Sequence, residues 1–262
     1  MIGNPKAFIF DLDGTIYIGD KRIEGADKVL ESIRKTNLPI RFVTNNPRFS
    51  REVYTEKLNN MGVQADIEEI ITSSWLTANY LNKKPLYGKI FAIGEKQLIS
   101  ELKEMNINLV RVGGEDPDTI LVSFDTTLTY EKLQFAYYHL TNGANFIATN
   151  PDMICPTLEG GLLDAGVIIS ALESATDRKV EQIIGKPSSL LGKLLVDNLG
   201  VSAKECVIIG DRLNTDISLG KKTGMKTVWI NSSNIKHPKD TENIPDLTIN
   251  KIEDLLEWLP FE

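Results

Sequence analysis

Apolar residues in this chain gather in short unbroken runs, and these alternate with stretches where apolar positions recur every three or four residues. A short unbroken run reads as a strand buried on both faces. The three-and-four spacing reads as one face of a helix. Ala7-Phe8-Ile9-Phe10 is the first such run, and it ends in Asp11-Leu12-Asp13-Gly14-Thr15. Ile16 to Glu24, with Gly19-Asp20 at its tip, predicts a small hairpin flap. Val29, Leu30 and Ile33 predict a helix that Asn37 to Pro39 stops. Ile40-Arg41-Phe42-Val43 predicts a strand ending in Thr44-Asn45-Asn46, and Ser50 caps a helix running to Met61-Gly62. A strand at Ile70-Ile71 and a helix from Trp75 to Leu81 continue the alternation, which is that of a parallel sheet covered by helices.

A break at Lys83-Lys84-Pro85 opens a second series. Its predicted strands are Ile90 to Ile93, Thr119 to Phe124 and Phe146 to Ala148. Its helices are Glu95 to Met105, Tyr130 to Thr141 and Ala165 to Thr176, the last preceded by a Gly-rich loop at Gly160-Gly161. Near Ile183 the first pattern resumes. Lys186-Pro187 sits on a loop, and Ser188 or Ser189 caps a helix to Leu199. Cys206 to Ile209 is a buried strand ending in Gly210-Asp211-Arg212, and a short helix follows Thr215-Asp216. A strand at Thr227 to Ile230 and a covering helix with Leu255, Leu256 and Trp258 complete the chain.

Spacing separates the two series. About 140 positions lie between Asn46 and Lys186, where a crossover pair with its helices takes only about 40. The surplus of about 100 residues is the size of a small domain. The sequence therefore predicts an α/β core from 1–81 and 182–262, with a second α/β domain inserted at about 82–181 as a lid.

The chain has 262 residues, a net charge of −7 and a pI of about 5.1. That balance speaks against a nucleic-acid partner, which needs a positive footprint. Cys155 and Cys206 are the only cysteines and lie far apart, which excludes a disulfide scaffold and suits a reducing compartment. Met1 to Pro5 is too short and polar for a signal peptide, and no apolar run approaches the ~20 residues that span a bilayer. The expectation is a cytoplasmic protein with no membrane partner; the oligomeric state, a homo-oligomer included, stays open.

The polar residues at the strand ends change the picture most. Asp11 and Asp13 lie too close in sequence to ionise cheaply together without a cation, and Mg²⁺ suits a set of hard oxygen ligands. Asp11/Asp13, Thr44/Asn45/Asn46 and Asp211/Asp216 all fall at carboxyl ends of strands, where open α/β sheets bind ligands, and Lys186 joins them from a loop. Carboxylates for a metal, hydroxyl and amide donors, and one lysine form the inventory of phosphoryl transfer. Taken singly, each has a plainer reading. Asn45-Asn46-Pro47 is ordinary turn chemistry, Lys186 suits a solvated face, Asp216 suits the first turn of a helix, and Asp164 suits a loop or helix cap. Cys206 and Arg212 have the Cys-x₅-Arg spacing of cysteine-based phosphatases. The residues between them, however, begin as a strand rather than a phosphate-cradling loop, so Cys206 reads as a core residue.

In order, the chain presents Asp11-Leu12-Asp13-Gly14-Thr15, Thr44-Asn45-Asn46, Lys186-Pro187, and Gly210-Asp211-Arg212 with Asp216. This set resembles the four motifs of the haloacid dehalogenase-like (HAD) phosphatases. The insert, with Ala148-Thr149-Asn150-Pro151-Asp152, resembles that of the NagD-like subfamily. The resemblance implies a Rossmann-like core with a cap domain, and Mg²⁺-dependent hydrolysis of a small phosphorylated metabolite. Sugar phosphates, glycerol phosphate, phosphoglycolate, nucleoside monophosphates and artificial nitrophenyl phosphate are all candidates. It implies Asp11 as nucleophile and Asp13 as general acid and base. Thr44, Asn45, Asn46 and Lys186 would bind the phosphoryl group. The metal would be held by Asp11, the Asp13 carbonyl and Asp211, with Asp216 orienting metal-bound water. His139 and His237 lie outside these motifs. Leu163-Asp164-Ala165-Gly166 departs from the subfamily's Pro-Gly-Ala-Gly, Ser123 from a glycine and Pro47 from a serine, so the resemblance leaves the substrate open. A catalytically idle phosphosugar-binding or regulatory protein is the rival from another class, and retention of both Asp11 and Asp13 argues against it. Within the enzyme class, phosphotransfer to another acceptor and C–halogen hydrolysis are rivals, the latter needing no metal.

Overall fold

β1 (Ala7–Asp11) is the strand the first apolar run predicts, and all five of its residues are buried. The structure, a computed structural model, describes residues 3–157, 160–232 and 243–259. The flap follows as β2 (Tyr17–Ile18) and β3 (Lys21–Arg22), then α1 (Ala26–Arg34), β4 (Ile40–Thr44), α2 (Arg51–Asn60), β5 (Ile70–Thr72) and α3 (Ser73–Asn82). The second series gives β6 (Ile90–Ile93), α4 (Lys96–Glu104), β7 (Thr119–Val122), α5 (Tyr130–Thr141), β8 (Asn145–Ala148), β9 (Ile154–Thr157), β10 (Gly160–Leu163), α6 (Ala165–Thr176) and β11 (Gln182–Ile183). Last come α7 (Ser189–Leu199), β12 (Cys206–Gly210), α8 (Ser218–Thr223), β13 (Lys226–Ile230) and β14 (Leu247–Ile249).

The chain divides into two compact units. The first holds residues 1–44, 51–71 and 186–262. Its sheet runs β14-β13-β12-β1-β4-β5, and β1 lies parallel to both β12 and β4. From β1 the chain builds outward through β4 and β5, then returns to build the other side from β12. The direction of winding thus reverses at β1, and such a switch point opens a crevice at the carboxyl ends of the strands. Phe8 and Phe10 of β1 pack with Phe42, Leu58, Val207 and Ile209 into one buried cluster.

The second unit holds residues 45–50 and 72–185. Its parallel sheet runs β11-β8-β7-β6, and Phe91, Ile120, Phe146 and Leu172 lie in its core. The sequence puts the boundaries near 82 and 181; the units divide at 72 and 185. α3 packs against α4 and β11 pairs with β8, so both go with the second unit.

Three elements differ from expectation. Gly160-Gly161 is not a loop but the start of β10, which pairs antiparallel with β9. All four β10 residues are exposed, so no burial pattern marks the strand. β14 is too short to stand out as an apolar run. The C-terminal helix is a 3₁₀ helix, Ile252–Trp258, that buries Ile252 and Leu255. His237 lies outside the described residues. No helix among them is long and apolar enough to cross a membrane.

Candidate active site

β1 delivers Asp11 to the switch point, and the chain must turn at once to free the carboxyl end. Gly14 makes that turn with φ at 90°, a conformation costly for any residue with a Cβ. A Cβ there would also run into the Asp211 carboxylate, so the glycine lets the first and last motifs approach. Asp13 bridges to Tyr17 of the flap, whose hydroxyl lies 3.5 Å from Asp13 Oδ2.

β12 brings Asp211 to the same edge, and the Trp229 indole N–H of neighbouring β13 donates to the Asp211 carbonyl at 2.9 Å. A single π-helical turn, Leu213–Ile217, follows. Such turns are rare and recur at functional sites. Here it buries Asp216 completely and lets its Oδ2 accept from the Arg212 N–H at 3.1 Å.

Lys186 joins these groups. Its Nζ donates to Asp11 Oδ1, to Asp216 Oδ1 at 2.7 Å and to the Val43 carbonyl at 3.2 Å. Oxygens of Asp11, Asp211 and Asp216 all lie within 4.8 Å of one another. Burial pushes the Asp11 carboxyl up, against the pull of Lys186. Burial, with Asp11 and Asp216 adding to it, raises Asp211 to about 8. Asp216 is raised to about 6, again chiefly by burial, with Lys186 opposing. Three crowded carboxylates thus share too little positive charge, a deficit that a dication would correct. Asp211 Oδ1 is buried and has no hydrogen-bond partner among the described residues. An unmatched hard oxygen beside two other carboxylates fits Mg²⁺ in ligand type and charge.

Thr44 ends β4 and is buried. The Asn45 and Asn46 side chains are occupied elsewhere. Asn45 Nδ2 donates to Asp152 Oδ2 at 2.7 Å, and Asn46 Oδ1 accepts from the Arg48 N–H at 3.2 Å, closing a local turn. Asp164 is buried as the N-cap of α6, its Oδ1 accepting from the Ala165 N–H at 2.6 Å. Cys206 opens the buried strand β12, where the sequence expects a core residue, and burial raises its thiol to about 11, away from thiolate character. His139 is buried on α5 against Phe135 and Tyr138, outside this cluster. Sequence reasoning missed the Val43 carbonyl and the Tyr17 hydroxyl. The flap hairpin was the one signal that could have pointed to Tyr17.

A family model described as haloacid dehalogenase-like hydrolase matches residues 8–108, and a second, described as HAD-hydrolase-like, matches 183–255. The chain is 33% identical to the sugar-phosphatase AraL of Bacillus subtilis, covering 96% of this chain and 92% of that one. It is 32% identical to the 5'-nucleotidase YutF of the same organism, covering 98% of each. Among solved structures, the 4-nitrophenylphosphatase of Thermotoga maritima superposes with a TM-score of 0.87 at 34% identity, covering 98% of each chain.

Proposed function

The chain belongs to the haloacid dehalogenase-like hydrolases, in their NagD-like branch of phosphatases, and we propose that it is a Mg²⁺-dependent phosphomonoesterase working through an aspartyl-phosphate. The observation that carries this reading is the trio Asp11, Asp211 and Asp216, the first and last buried and Asp211 partly so, with Lys186 bound to two of them and the buried Asp211 Oδ1 unmatched.

In the proposed reaction an Asp11 carboxylate oxygen attacks phosphorus. The ester P–O bond breaks as Asp13 gives its proton to the leaving oxygen. Asp13, now a carboxylate, takes a proton from water, whose oxygen attacks the same phosphorus. The bond from phosphorus to Asp11 breaks, releasing inorganic phosphate and restoring the carboxylate. Lys186 holds Asp11 ionised and in place, and Thr44 with the turn at Asn45 and Asn46 binds the phosphoryl oxygens. Asp11 and Asp211 are the residues that would hold Mg²⁺ directly, with the Asp13 carbonyl. Both Asp216 oxygens already accept protein hydrogen bonds, which supports a role behind the metal. When bound, Mg²⁺ supplies positive charge against the phosphoryl oxygens.

Residues 72–185 form the body of the proposed cap, and a cytoplasmic location is proposed with it. The relatives act on sugar phosphates, a nucleotide and nitrophenyl phosphate by name; small phosphate monoesters are the proposed substrate class, sugar phosphates first. The test is release of nitrophenol from nitrophenyl phosphate with Mg²⁺ and with EDTA, followed by a panel of phosphorylated metabolites. Turnover in Mg²⁺ that EDTA abolishes supports the reading. Phosphate-ester binding without turnover would favour the idle binding protein.

A further inference from the structure

Asn45 follows Thr44 directly, yet its side chain is held by groups more than 100 positions away in sequence. Asp152 Oδ2 accepts from Asn45 Nδ2 at 2.7 Å and from Asn150 Nδ2 at 3.2 Å. Both acceptor and second donor are buried. The Asn45 carbonyl is also held, by the Ser73 hydroxyl at 2.6 Å. On its other side Asn45 Oδ1 lies against Gly185, where a Cβ would stand 2.6 Å away, so only glycine leaves room for it.

The groups that hold Asn45 are themselves fixed. Asn150 Nδ2 also lies 3.2 Å from Asp164 Oδ1, and Thr149 Oγ1 lies 2.7 Å from Asn150 Oδ1. The Asp152 carbonyl accepts from the Gly166 N–H at 2.8 Å, which ties the loop to the start of α6. β8 and β11 bring Thr149 and Gly185 to one edge, where the Gly185 N–H donates to the Thr149 carbonyl at 2.7 Å. The carboxylate that holds the Asn45 amide is thus itself pinned by a buried hydrogen-bond network and does not follow the amide if it turns.

We propose that Asp152 is a positioning residue of the phosphoryl site: it fixes the Asn45 turn, through the Asn45 amide, in the one orientation that receives the phosphoryl group. The proposal rests on the phosphatase reading above. Asp152 touches neither phosphorus nor leaving group in this role. It acts as a hydrogen-bond acceptor, and its charge is not what the reaction uses. Because the phosphoryl group is common to all esters, Asp152 affects every substrate alike. A residue that sorts leaving groups would not.

The test compares Asp152→Ala, Asp152→Asn, Asn45→Asp and the reciprocal swap Asn45→Asp/Asp152→Asn in the full chain with Mg²⁺. Orthovanadate and inorganic phosphate serve as inhibitors, and kcat and KM are followed for two esters with different leaving groups. Loss of the acceptor in Asp152→Ala should raise both inhibition constants and both KM values by about tenfold, the size of one lost hydrogen bond. Asparagine keeps an oxygen that can accept, so Asp152→Asn should recover most of that loss. Asn45→Asp sets two carboxylates against each other and should bind vanadate worse than Asp152→Asn. The swap restores an amide–carboxylate pair and should recover the affinity, a coupling that only a direct contact produces. If Asp152→Ala does not fold, Asn45→Asp and the swap decide the matter. An unchanged vanadate constant in Asn45→Asp, or no recovery in the swap, overturns the proposal. So does an Asp152→Asn as impaired as Asp152→Ala. A wild-type protein that neither hydrolyses esters nor is inhibited by vanadate would overturn the phosphatase reading instead.

Discussion

Lys186 Nζ lies 2.7 Å from Asp216 Oδ1, and both side chains are cut off from solvent, at 3% and 0% exposure. A second carboxylate, Asp11, accepts another N–H of the same ammonium. A lysine buried this deeply would ordinarily lose its charge, but these two acids outweigh desolvation and drive its pKa upward. The ion pairs are therefore a fixed part of the site. They set where the Asp11 carboxylate points and leave Asp211 as the acid with least compensation.

Replacing Lys186 by Met should unbalance this cluster, because two buried carboxylates lose their cation. Breaking such a pair from one side costs about 3–5 kcal/mol. Denaturant unfolding of the metal-free protein measures the stability loss. Turnover should also fall sharply, because Asp11 loses the group that keeps it ionised and oriented. A variant with wild-type stability and activity would contradict the assignment.

The raised carboxyls predict how metal binding depends on pH. Burial lifts Asp211 to about 8 and Asp216 to about 6. For a carboxyl raised on folding, the native state binds the proton more tightly, so metal-free stability is favoured at low pH and lost as pH climbs through those values. A divalent cation must displace those protons. Its apparent affinity should rise with pH up to about 8, and Mg²⁺ should raise the melting temperature more at pH 8.5 than at pH 6. Melting curves with Mg²⁺ and with EDTA check this, and no shift at any pH would remove the metal from the site.

Asp11→Asn should abolish turnover while leaving the fold intact. Asparagine is nearly isosteric but is no nucleophile, so a loss of several orders of magnitude is expected. Because Lys186 still pairs with Asp216, the stability cost should be smaller than that of losing the lysine. Trapping of acid-stable phosphoprotein from labelled substrate in the wild type, absent in this variant, tests the covalent step.

Asp13→Asn separates proton transfer from attack. Its carboxyl lies beside the Tyr17 hydroxyl on the flap, and general acid catalysis contributes about 10²–10⁴-fold. The loss should be large for sugar phosphates and small for nitrophenyl phosphate, whose leaving group barely needs a proton. Equal losses for the two would count against the role.

The strands of the site were legible because burial marks them. Ala7 to Asp11 and Cys206 to Gly210 are apolar without a break until the acid or glycine that ends each. Ser188 was legible as a helix cap for the same kind of local reason, its side chain accepting from the Leu190 N–H. β10 was not, since its exposed Gly160 to Leu163 alternates nothing. The partners of Asp216 and Asn45 were out of reach for another reason. Asp216 has the spacing of an ordinary first-turn acid, and only packing puts Lys186, 30 positions earlier, against it. Asn45 reads as a turn residue because Asp152, 107 positions later, leaves no local trace of the bond.

Met153 and Asp164 sit close together in the second unit, the Asp164 N–H donating to the Met153 carbonyl at 3.0 Å, yet their side chains call for opposite outcomes. Asp164, which from the sequence suits a loop or helix cap, is buried and spends its carboxylate on the Ala165 N–H and the Asn150 amide. Removing such a cap costs about 1 kcal/mol, and more here because Asn150 loses a buried partner as well. Asp164→Ala should lower the melting temperature and leave the order of preferred substrates as it was. Met153 is half exposed, 51%, beside the exposed Ile154 and Leu163 of the β9–β10 hairpin. An unbranched, flexible side chain on such a surface adapts to different apolar shapes. If this hairpin meets the leaving group, Met153→Ala should change kcat/KM unequally across a panel of phosphate esters without altering Mg²⁺ dependence. The two variants run side by side on that panel, with melting curves, separate the roles. A reordered ranking in Asp164→Ala at full stability, or an unchanged ranking in Met153→Ala, would move the specificity surface away from this hairpin.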